Sequence, residues 1–266
     1  MSSNERFWFP DGSLTVRAQG TSFKIHHGLL KRHSRLSFDQ DDITLDNVQA
    51  EDLIVLLEHL YHDVPLSRDA PFPRLAAMLR VTSPSQLDLP KMYDFASNLF
   101  ADTFSSGPQP FTHPEDDLVA ALALARELEV DESIRKGLLY SLLHSDHFHL
   151  EGDASIAASD KAVLDRLLAS MVDHITPTLF TPAATPHRAC TDVFADTWMD
   201  LVISPALLDG GVGRPLETLE RMKNIRWAEK GLCAECVKEK EQEWTEEQET
   251  VWNMMDVWLD LKKKIE

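Results

Sequence analysis

The sequence predicts an α+β protein with a small sheet between residues 7 and 45 and helices over the rest of the 266-residue chain. Two observations carry this prediction. Apolar and polar residues alternate from Leu14 to Ile25, which is the period of half-buried strands. Beyond residue 45, apolar residues recur at intervals of three and four, the period of amphipathic helices. The chain is 43% hydrophobic, which suffices to bury a core.

The first predicted element is a β-hairpin, because two alternating runs flank the Gln19-Gly20 turn. Residues 1–4 are polar and are not expected to pack against anything. A short helix and a third strand follow the hairpin, so the predicted order is Leu14–Ala18, Phe23–Ile25, His27–Ser34 and Ile43–Leu45. These strands form the predicted sheet.

The clearest helix of the first half carries five apolar or aromatic residues on one face: Leu53, Leu56, Leu57, Leu60 and Tyr61. Asp46 or Asn47 can cap its start, and Pro65 ends it. Two more helices are predicted near residues 73–81 and 89–104. A first domain over residues 5–104 is therefore expected.

The Ser-, Gly- and Pro-rich stretch at residues 105–110 is a predicted linker to an all-helical domain over residues 115–266. Pro177, Pro182 and Pro186 predict a long irregular connection within that domain, and Gly210, Gly211 and Gly213 predict a loop. The expected helices span residues 118–128, 134–143, 161–175, 193–203, 215–230 and 236–264.

Composition restricts the classes of partner. The formal charge is −18, and such a field repels phosphate backbones and anionic membranes, so neither nucleic acid nor a membrane is an expected partner. Three cysteines favour a reducing compartment over a disulfide scaffold. The first twenty residues lack the apolar core of a secretory signal. We therefore expect the cytoplasm or the nucleus.

The stretch from Phe7 to Phe38 resembles the opening of BTB/POZ domains. That family shows a strand, a turn, a Phe-x-(Val/Ile)-His step, a Leu, and a Ser that closes the first helix. The matching residues here are Phe23, Ile25, His26, Leu30 and Ser34. The later segment AEDLIVLLEHLYHD, residues 50–63, is similar to the third helix of the family, which ends in a Tyr before a variable loop.

The whole chain also resembles a fungal group of BTB/POZ proteins with a helical C-terminal region. Residues 122–130 are similar to the LALARELEV-like segment of that group, and residues 231–236 to its GLCAEC-like segment. The resemblance implies a domain that self-associates or binds another protein. The segment between Ser34 and Ile43 is shorter than usual in the family. In many BTB domains it contributes to dimerisation and to docking a cullin scaffold, so these two functions are not carried over.

One constellation of residues has metal-ligand spacing. Cys233 and Cys236 form a C-x2-C pair, and His187 and Cys190 form an H-x2-C pair some forty residues earlier. Together they supply the four ligands of a Cys3His structural zinc site, provided that the fold brings the pairs together. The alternatives are three cysteines buried as small apolar residues, or a redox C-x2-C. The redox motif would need a preceding strand, and Arg226–Glu229 is predicted to be helical instead.

The remaining candidates have simpler interpretations. His144, His147 and His149 lie in HSDHFH, which is more typical of a polar helix end than of a metal site. Trp244, Trp252 and Trp258 are expected to pack onto the helical domain, and the acidic run from Glu239 to Glu249 is expected to be a solvated face. We find no sequence motif that places a nucleophile, a base and an orienting acid together.

We therefore expect a protein–protein interaction or adaptor protein that performs no catalysis. One alternative is a metal-dependent or redox enzyme that works through Cys190, Cys233 and Cys236. The other is a transcriptional regulator that acts through a DNA-binding partner, since the chain carries no recognisable DNA-reading module of its own.

Overall fold

The computed structural model describes residues 2–38, 40–45, 48–149 and 156–261. Over these residues the chain is mixed α+β, as predicted, with a four-stranded sheet near the N-terminus and a helical remainder. It divides into two compact units. The first comprises Met1–Phe104 and Ala123–Glu129, and the second comprises Ser105–Leu122 and Val130–Glu266. No helix within the described ranges is long and apolar enough to cross a lipid bilayer.

The sheet of the first unit has the strand order β1-β3-β2-β4. β2 and β3 form the predicted antiparallel hairpin, while β1 runs parallel to β3 and β4 runs parallel to β2. Alternate residues of the hairpin are buried, as the period of two requires. The strands span Ser2–Trp8 (β1), Leu14–Ala18 (β2), Thr21–Ile25 (β3) and Asp42–Leu45 (β4).

No strand was expected before residue 7, yet β1 begins at Ser2, although the side chains of Ser2 and Ser3 are exposed as expected (Met1 lies outside the described residues). Ser2 and Ser3 pair with β3 through main-chain atoms, and the register then shifts before Trp8. Only Phe7 of this strand is buried, and its ring lies 6.1 Å from that of Tyr61. An edge strand with one buried side chain has no hydrophobic alternation, so its sequence does not predict it.

Four helices complete most of the first unit: His27–His33 (α1), Ala50–Leu60 (α2), Phe72–Thr82 (α3) and Pro90–Thr103 (α4). The predicted stripe of leucines on α2 faces the core, where Leu53, Leu56 and Leu57 are fully buried. The predicted capping residues Asp46 and Asn47 lie outside the described residues. Asp52 of α2 is buried, and Arg80 of α3 donates two hydrogen bonds to its carboxylate at 2.7 and 2.9 Å.

The residues that carried the family resemblance have defined contacts in this unit. Phe23, Ile25 and Leu30 are buried in the core. The backbone N–H of His26 donates to the Tyr61 hydroxyl at 3.1 Å, and the ring Nδ1 of His26 lies 2.8 Å from the same oxygen. The Ser34 hydroxyl donates to the carbonyl of Leu87 at 2.6 Å. The segment that resembles the BTB/POZ opening is thus joined, through His26, to Tyr61 at the end of α2.

Replacing Tyr61 with phenylalanine is expected to destabilise the first unit by about 1–3 kcal/mol, because the His26 N–H loses its acceptor in a part-buried setting. Hydrogen exchange of the β3 amides would report the loss. The matched change Tyr93→Phe, at another half-buried tyrosine, should cost less. Equal protection in both variants would show that the His26–Tyr61 contact contributes nothing to stability.

The other helices begin with Leu118–Glu127 (α5), whose residues are divided between the two units. A π-helical turn at Met199–Ile203 continues α9 into α10. The remaining helices span Glu132–Leu143 (α6), Asp146–His149 (α7), Ala158–Phe180 (α8), Arg188–Trp198 (α9), Ser204–Leu208 (α10), Pro215–Asn224 (α11), Trp227–Lys230 (α12) and Ala234–Trp258 (α13). The predicted C-terminal helix therefore stops at Trp258, and residues 262–266 lie outside the described part of the chain.

Among the boundaries of the second unit that differ from the prediction, two have a clear physical reason. α8 continues through Pro177 to Phe180 instead of ending before it. Proline removes one N–H near the helix end, and burial of Leu179 together with the bond from Trp198 Nε1–H to its carbonyl at 2.7 Å holds the last turn. The helix predicted over residues 215–230 is two helices, because Ile225 takes an extended conformation between α11 and α12.

Candidate metal centre

Two pairs of residues that are distant in sequence meet at one point of the second unit. His187, Cys190, Cys233 and Cys236 place their ligand atoms within 4.8 Å of one another. His187 and Cys233 are exposed, while Cys190 and Cys236 are buried. The four residues together can hold one metal ion. This is the group whose spacing in the sequence predicted a Cys3His site.

Each pair occupies the same place on its own helix. His187 is the residue before the first residue of α9, and Cys190 is the third residue of that helix. Cys233 and Cys236 hold the corresponding positions on α13. The cap residue and the third residue of a helix lie on the same side of its first turn, which is why an x2 spacing brings two ligand atoms together. Two such helix starts face each other here.

Three of the six distances between the ligand atoms are close to those of a tetrahedral set of ligands. The Sγ atoms of Cys190 and Cys233 are 3.7 Å apart. Nδ1 of His187 lies 3.1 Å from Sγ of Cys233 and 3.4 Å from Sγ of Cys236. For zinc bonds of about 2.3 Å to sulfur and 2.0 Å to nitrogen, a tetrahedron separates two sulfurs by about 3.8 Å and a sulfur from a nitrogen by about 3.5 Å. The cluster is already close to that size.

Main-chain N–H groups at the helix starts favour thiolate at this site. The backbone N–H of Cys236 and then the hydrogen bond with His187 lower the pKa of Cys233 to about 6. The contact with Cys233 raises the pKa of His187, and burial raises that of Cys236. The N–H of Cys233 also donates to the sulfur of Cys190 at 3.4 Å. The same N–H donors and the positive ends of the two helices also stabilise the negative charge of thiolates that bind a metal ion.

A cluster of buried aromatic rings fixes the two helix starts relative to each other. Trp227 of α12 lies 4.7 Å from the ring of Phe194 and 6.0 Å from that of Trp244. Its Nε1–H donates to the carbonyl of Met222 at 2.8 Å. Phe194 belongs to α9 and Trp244 to α13, so one aromatic core joins the helices that bear the ligand pairs.

The turn that leads into Cys233 depends on a glycine. Gly231 has φ +111°, a left-handed conformation that residues with a Cβ rarely adopt. After it, the N–H of Leu232 donates to the carbonyl of Trp227 at 3.2 Å, and the Leu232 side chain is buried. This turn directs the chain from α12 back to the start of α13, where Cys233 lies.

In zinc-free protein, iodoacetamide is expected to modify Cys233 first, because it is the exposed cysteine and the thiolate is the reacting form. Its rate should reach half of its maximum near pH 6, the pKa to which its surroundings lower it, rather than near the ordinary thiol value of about 8.5. Peptide mass spectrometry over a pH series would measure this rate, with buried Cys190 as the internal comparison. A midpoint near pH 8.5 would show that the surroundings of Cys233 do not lower its pKa.

The other candidate residues are not brought into this centre. His144 packs its ring against Tyr140 at 4.6 Å, and the side chains of His147 and His149 lie outside what the structure describes. The interpretation of the tryptophans is confirmed for Trp244 and Trp252, which are buried, and Trp258 is half-buried. Most acids between Glu239 and Glu249 are exposed, as expected of a solvated face.

Thr185 is a contributor that the sequence did not indicate. Its hydroxyl donates to the carbonyl of His187 at 2.9 Å and contacts the hydroxyl of Thr191 at 3.2 Å. It also forms a hydrogen bond with Cys236 that lowers the pKa of that thiol, against the larger effect of burial. A lone threonine two residues before a histidine carries no metal-site signal, so only the folded chain identifies it.

Comparison with known proteins assigns no family to this chain: no protein-family model matches it, and no curated protein matches it.

Proposed function

We propose that this chain is a non-enzymatic protein-interaction protein whose first unit is a BTB/POZ-like domain and whose second unit is held by a structural zinc ion. The observation that carries the first half is the His26–Tyr61 contact, which joins the two sequence segments similar to that family. A His of the opening motif and the Tyr after the similar helix are thus hydrogen-bond partners within the first unit.

The arrangement of the first unit adds support. The hairpin of β2 and β3 is followed by α1, and β4 then returns parallel to β2. In the strand order β1-β3-β2-β4, β1 and β4 are the two edge strands of the sheet. Edge strands and partly exposed helix faces are surfaces through which a protein module binds a partner or a second copy.

The short connection between α1 and β4 restricts the choice of interface. α1 ends at His33 and β4 begins at Asp42, so little chain is left for the region that dimerises or docks a cullin in many BTB domains. The proposed partner is therefore a protein that contacts other surfaces of the unit, and a DNA-binding protein is one class of such partner.

The donor set favours zinc and a structural role. Three thiols and an imidazole are the ligands that zinc prefers, and four protein ligands close a tetrahedral site. A catalytic zinc keeps one position open for water or substrate, and this donor set would fill all four. We therefore propose that the ion stabilises the second unit and that the alternative of an enzyme working through these cysteines is the weaker one.

The interaction function is tested with the full chain. Light scattering of the purified protein should give a mass above one chain, or a tagged chain should retain a defined protein partner after crosslinking in cells. The variant Arg80→Ala removes the hydrogen bonds to buried Asp52 and should weaken either result because it loosens the first unit. A strict monomer that retains no partner would overturn the proposal.

A further inference from the structure

A small cavity of about 230 Å³ opens on the first unit, apart from the metal centre. It lies where the end of α1, α2, α3 and the start of α4 come together, and its apolar lining is Leu66, Met78 and Met92. Met78 is fully buried and forms part of the core, whereas Met92 is partly exposed. The lining is therefore an apolar pocket that reaches the core of the unit at Met78.

The rim of this cavity is also apolar. Phe95 of α4 lines it and is 43% exposed. A ring exposed beside an apolar cavity extends the apolar surface that an occupant can cover on binding. Because Phe95 is exposed beside the cavity, the occupant is expected to contact this ring in addition to filling the cavity.

The charge around the cavity has the opposite sign to the charge of the chain. His33 and Lys91 line it, and Arg32 precedes His33 on α1. Burial and then the positive charges of Arg32 and Lys91 lower the pKa of His33. Because this shift favours the neutral form of His33, Lys91 and Arg32 carry the positive charge at this rim, and in a chain of net charge −18 they favour an occupant with negative charge.

His59 adds a directional group. Its Nδ1 accepts a hydrogen bond from the backbone N–H of Leu66 at 3.0 Å, so the neutral ring carries its proton on Nε2. The ring lines the cavity, and burial followed by neighbouring cations lowers its pKa, which favours this neutral form. His59 Nε2–H and Lys91 therefore both supply hydrogen-bond donors to the lining of this cavity, which suits a carboxylate group.

The size of the cavity limits what enters it. Sites for drug-sized ligands measure roughly 300–1,000 Å³, and this cavity is smaller than that range. It is suited to a single large side chain, which is how an interface anchor fills a pocket on its partner. A bound peptide inserts one such side chain into the cavity, and its neighbouring residues then lie over Phe95 and Lys91.

We propose that this cavity binds an acidic segment of a partner protein, with one apolar side chain in the pocket and an adjacent carboxylate at Lys91 and His59. The proposal rests on the interaction function proposed above and specifies the chemistry of the partner. The recognised unit is a leucine, methionine or phenylalanine next to glutamate or aspartate.

The probe is a short, end-blocked Gly/Ser peptide with a central Leu-Glu-Glu, compared with peptides that carry Ala-Glu-Glu or Leu-Lys-Lys. Methionine-methyl NMR of the full chain should show the signals of Met78 and Met92 shifting, while Met222 and Met255 of the second unit stay unchanged. A dissociation constant between about 0.1 and 1 mM is expected for one anchor. The Ala-Glu-Glu peptide should bind at least about fivefold more weakly because it lacks the buried apolar side chain. The Leu-Lys-Lys peptide should bind about fivefold more weakly, the upper effect of one exposed charge pair.

Two variants at exposed positions test the site without disturbing the core. Lys91→Glu should weaken binding of the Leu-Glu-Glu peptide about fivefold through the lost charge pair, and Phe95→Ala should weaken it by a similar factor through the lost apolar contact. Lys161→Glu, an equal charge change at an exposed residue of the second unit, should leave binding unchanged.

Equal binding of the Leu-Glu-Glu and Leu-Lys-Lys peptides, or no shift at Met78 and Met92, would overturn this proposal. If the chain still self-associates or retains its partner with Lys91→Glu and Phe95→Ala combined, the cavity proposal fails while the interaction function stands. If the unaltered chain does neither, the interaction function itself fails.

Discussion

Replacing Cys236 with serine is expected to abolish stoichiometric zinc binding and to destabilise the second unit. Cys236 is buried, and its sulfur lies 3.4 Å from Nδ1 of His187. The other two cysteines, Cys190 and Cys233, already belong to the cluster, so neither can replace it. A serine hydroxyl fills nearly the same space but remains protonated and does not replace a thiolate ligand. The variant therefore removes the ligand with little change in packing.

The size of the effect follows from linkage. Zinc that binds only the folded chain stabilises it by about 4 kcal/mol when its free concentration is a thousandfold above the dissociation constant. Each kcal/mol corresponds to a change in Tm of about 2–4 °C for a unit of this size. Loss of the ion should thus lower Tm by roughly 8–16 °C.

Elemental analysis and thermal unfolding would measure both consequences. The unaltered chain should carry about one zinc ion, as four ligands from one chain form one closed site. Glu235→Gln, an exposed position between the two cysteines, is the matched control and should keep the ion. Treating the unaltered chain with a chelator should reproduce the Tm of Cys236→Ser. Purified protein with no zinc, and with a Tm that the chelator leaves unchanged, would contradict the structural zinc.

Replacing Trp227 with alanine is expected to lower the free energy of unfolding of the second unit by about 3–5 kcal/mol, the usual cost of removing a large core aromatic. Trp227 is 1% exposed and packs against Phe194, Trp198 and Trp244. The carbonyl of Met222 also loses its donor. Because these rings join α9 to α13, the variant should also bind zinc more weakly than the unaltered chain.

Urea unfolding followed by tryptophan fluorescence suits this variant. Five of the six tryptophans belong to the second unit, so the signal reports mainly on it. Trp227→Phe should cost less than the alanine change, since an aromatic ring remains. Trp258→Ala, at a half-buried position near His174, is the control for loss of a tryptophan and should cost well under half as much. Equal losses at Trp227 and Trp258 would show that the aromatic cluster does not hold the unit together.

Local pattern was sufficient wherever an element buries a regular face. The hairpin of β2 and β3 and the leucine stripe of α2 were predicted because alternate or every third and fourth residues are buried there. The local hydrophobic pattern does not predict an element whose burial depends on a residue from another part of the chain. β1 has one buried side chain, and α8 passes through Pro177 because Trp198 holds its last turn from another helix.

The metal ligands show the same division. The sequence determined the residue types and the x2 spacings of His187, Cys190, Cys233 and Cys236, because an x2 spacing at a helix start places two ligand atoms on one side. Whether the two pairs meet depends on the aromatic packing of α9 against α12 and α13, over more than forty residues of intervening chain. No local period encodes a contact of that range, so only the tertiary structure decided that four ligands share one point, and that a basic rim surrounds an apolar cavity on the first unit.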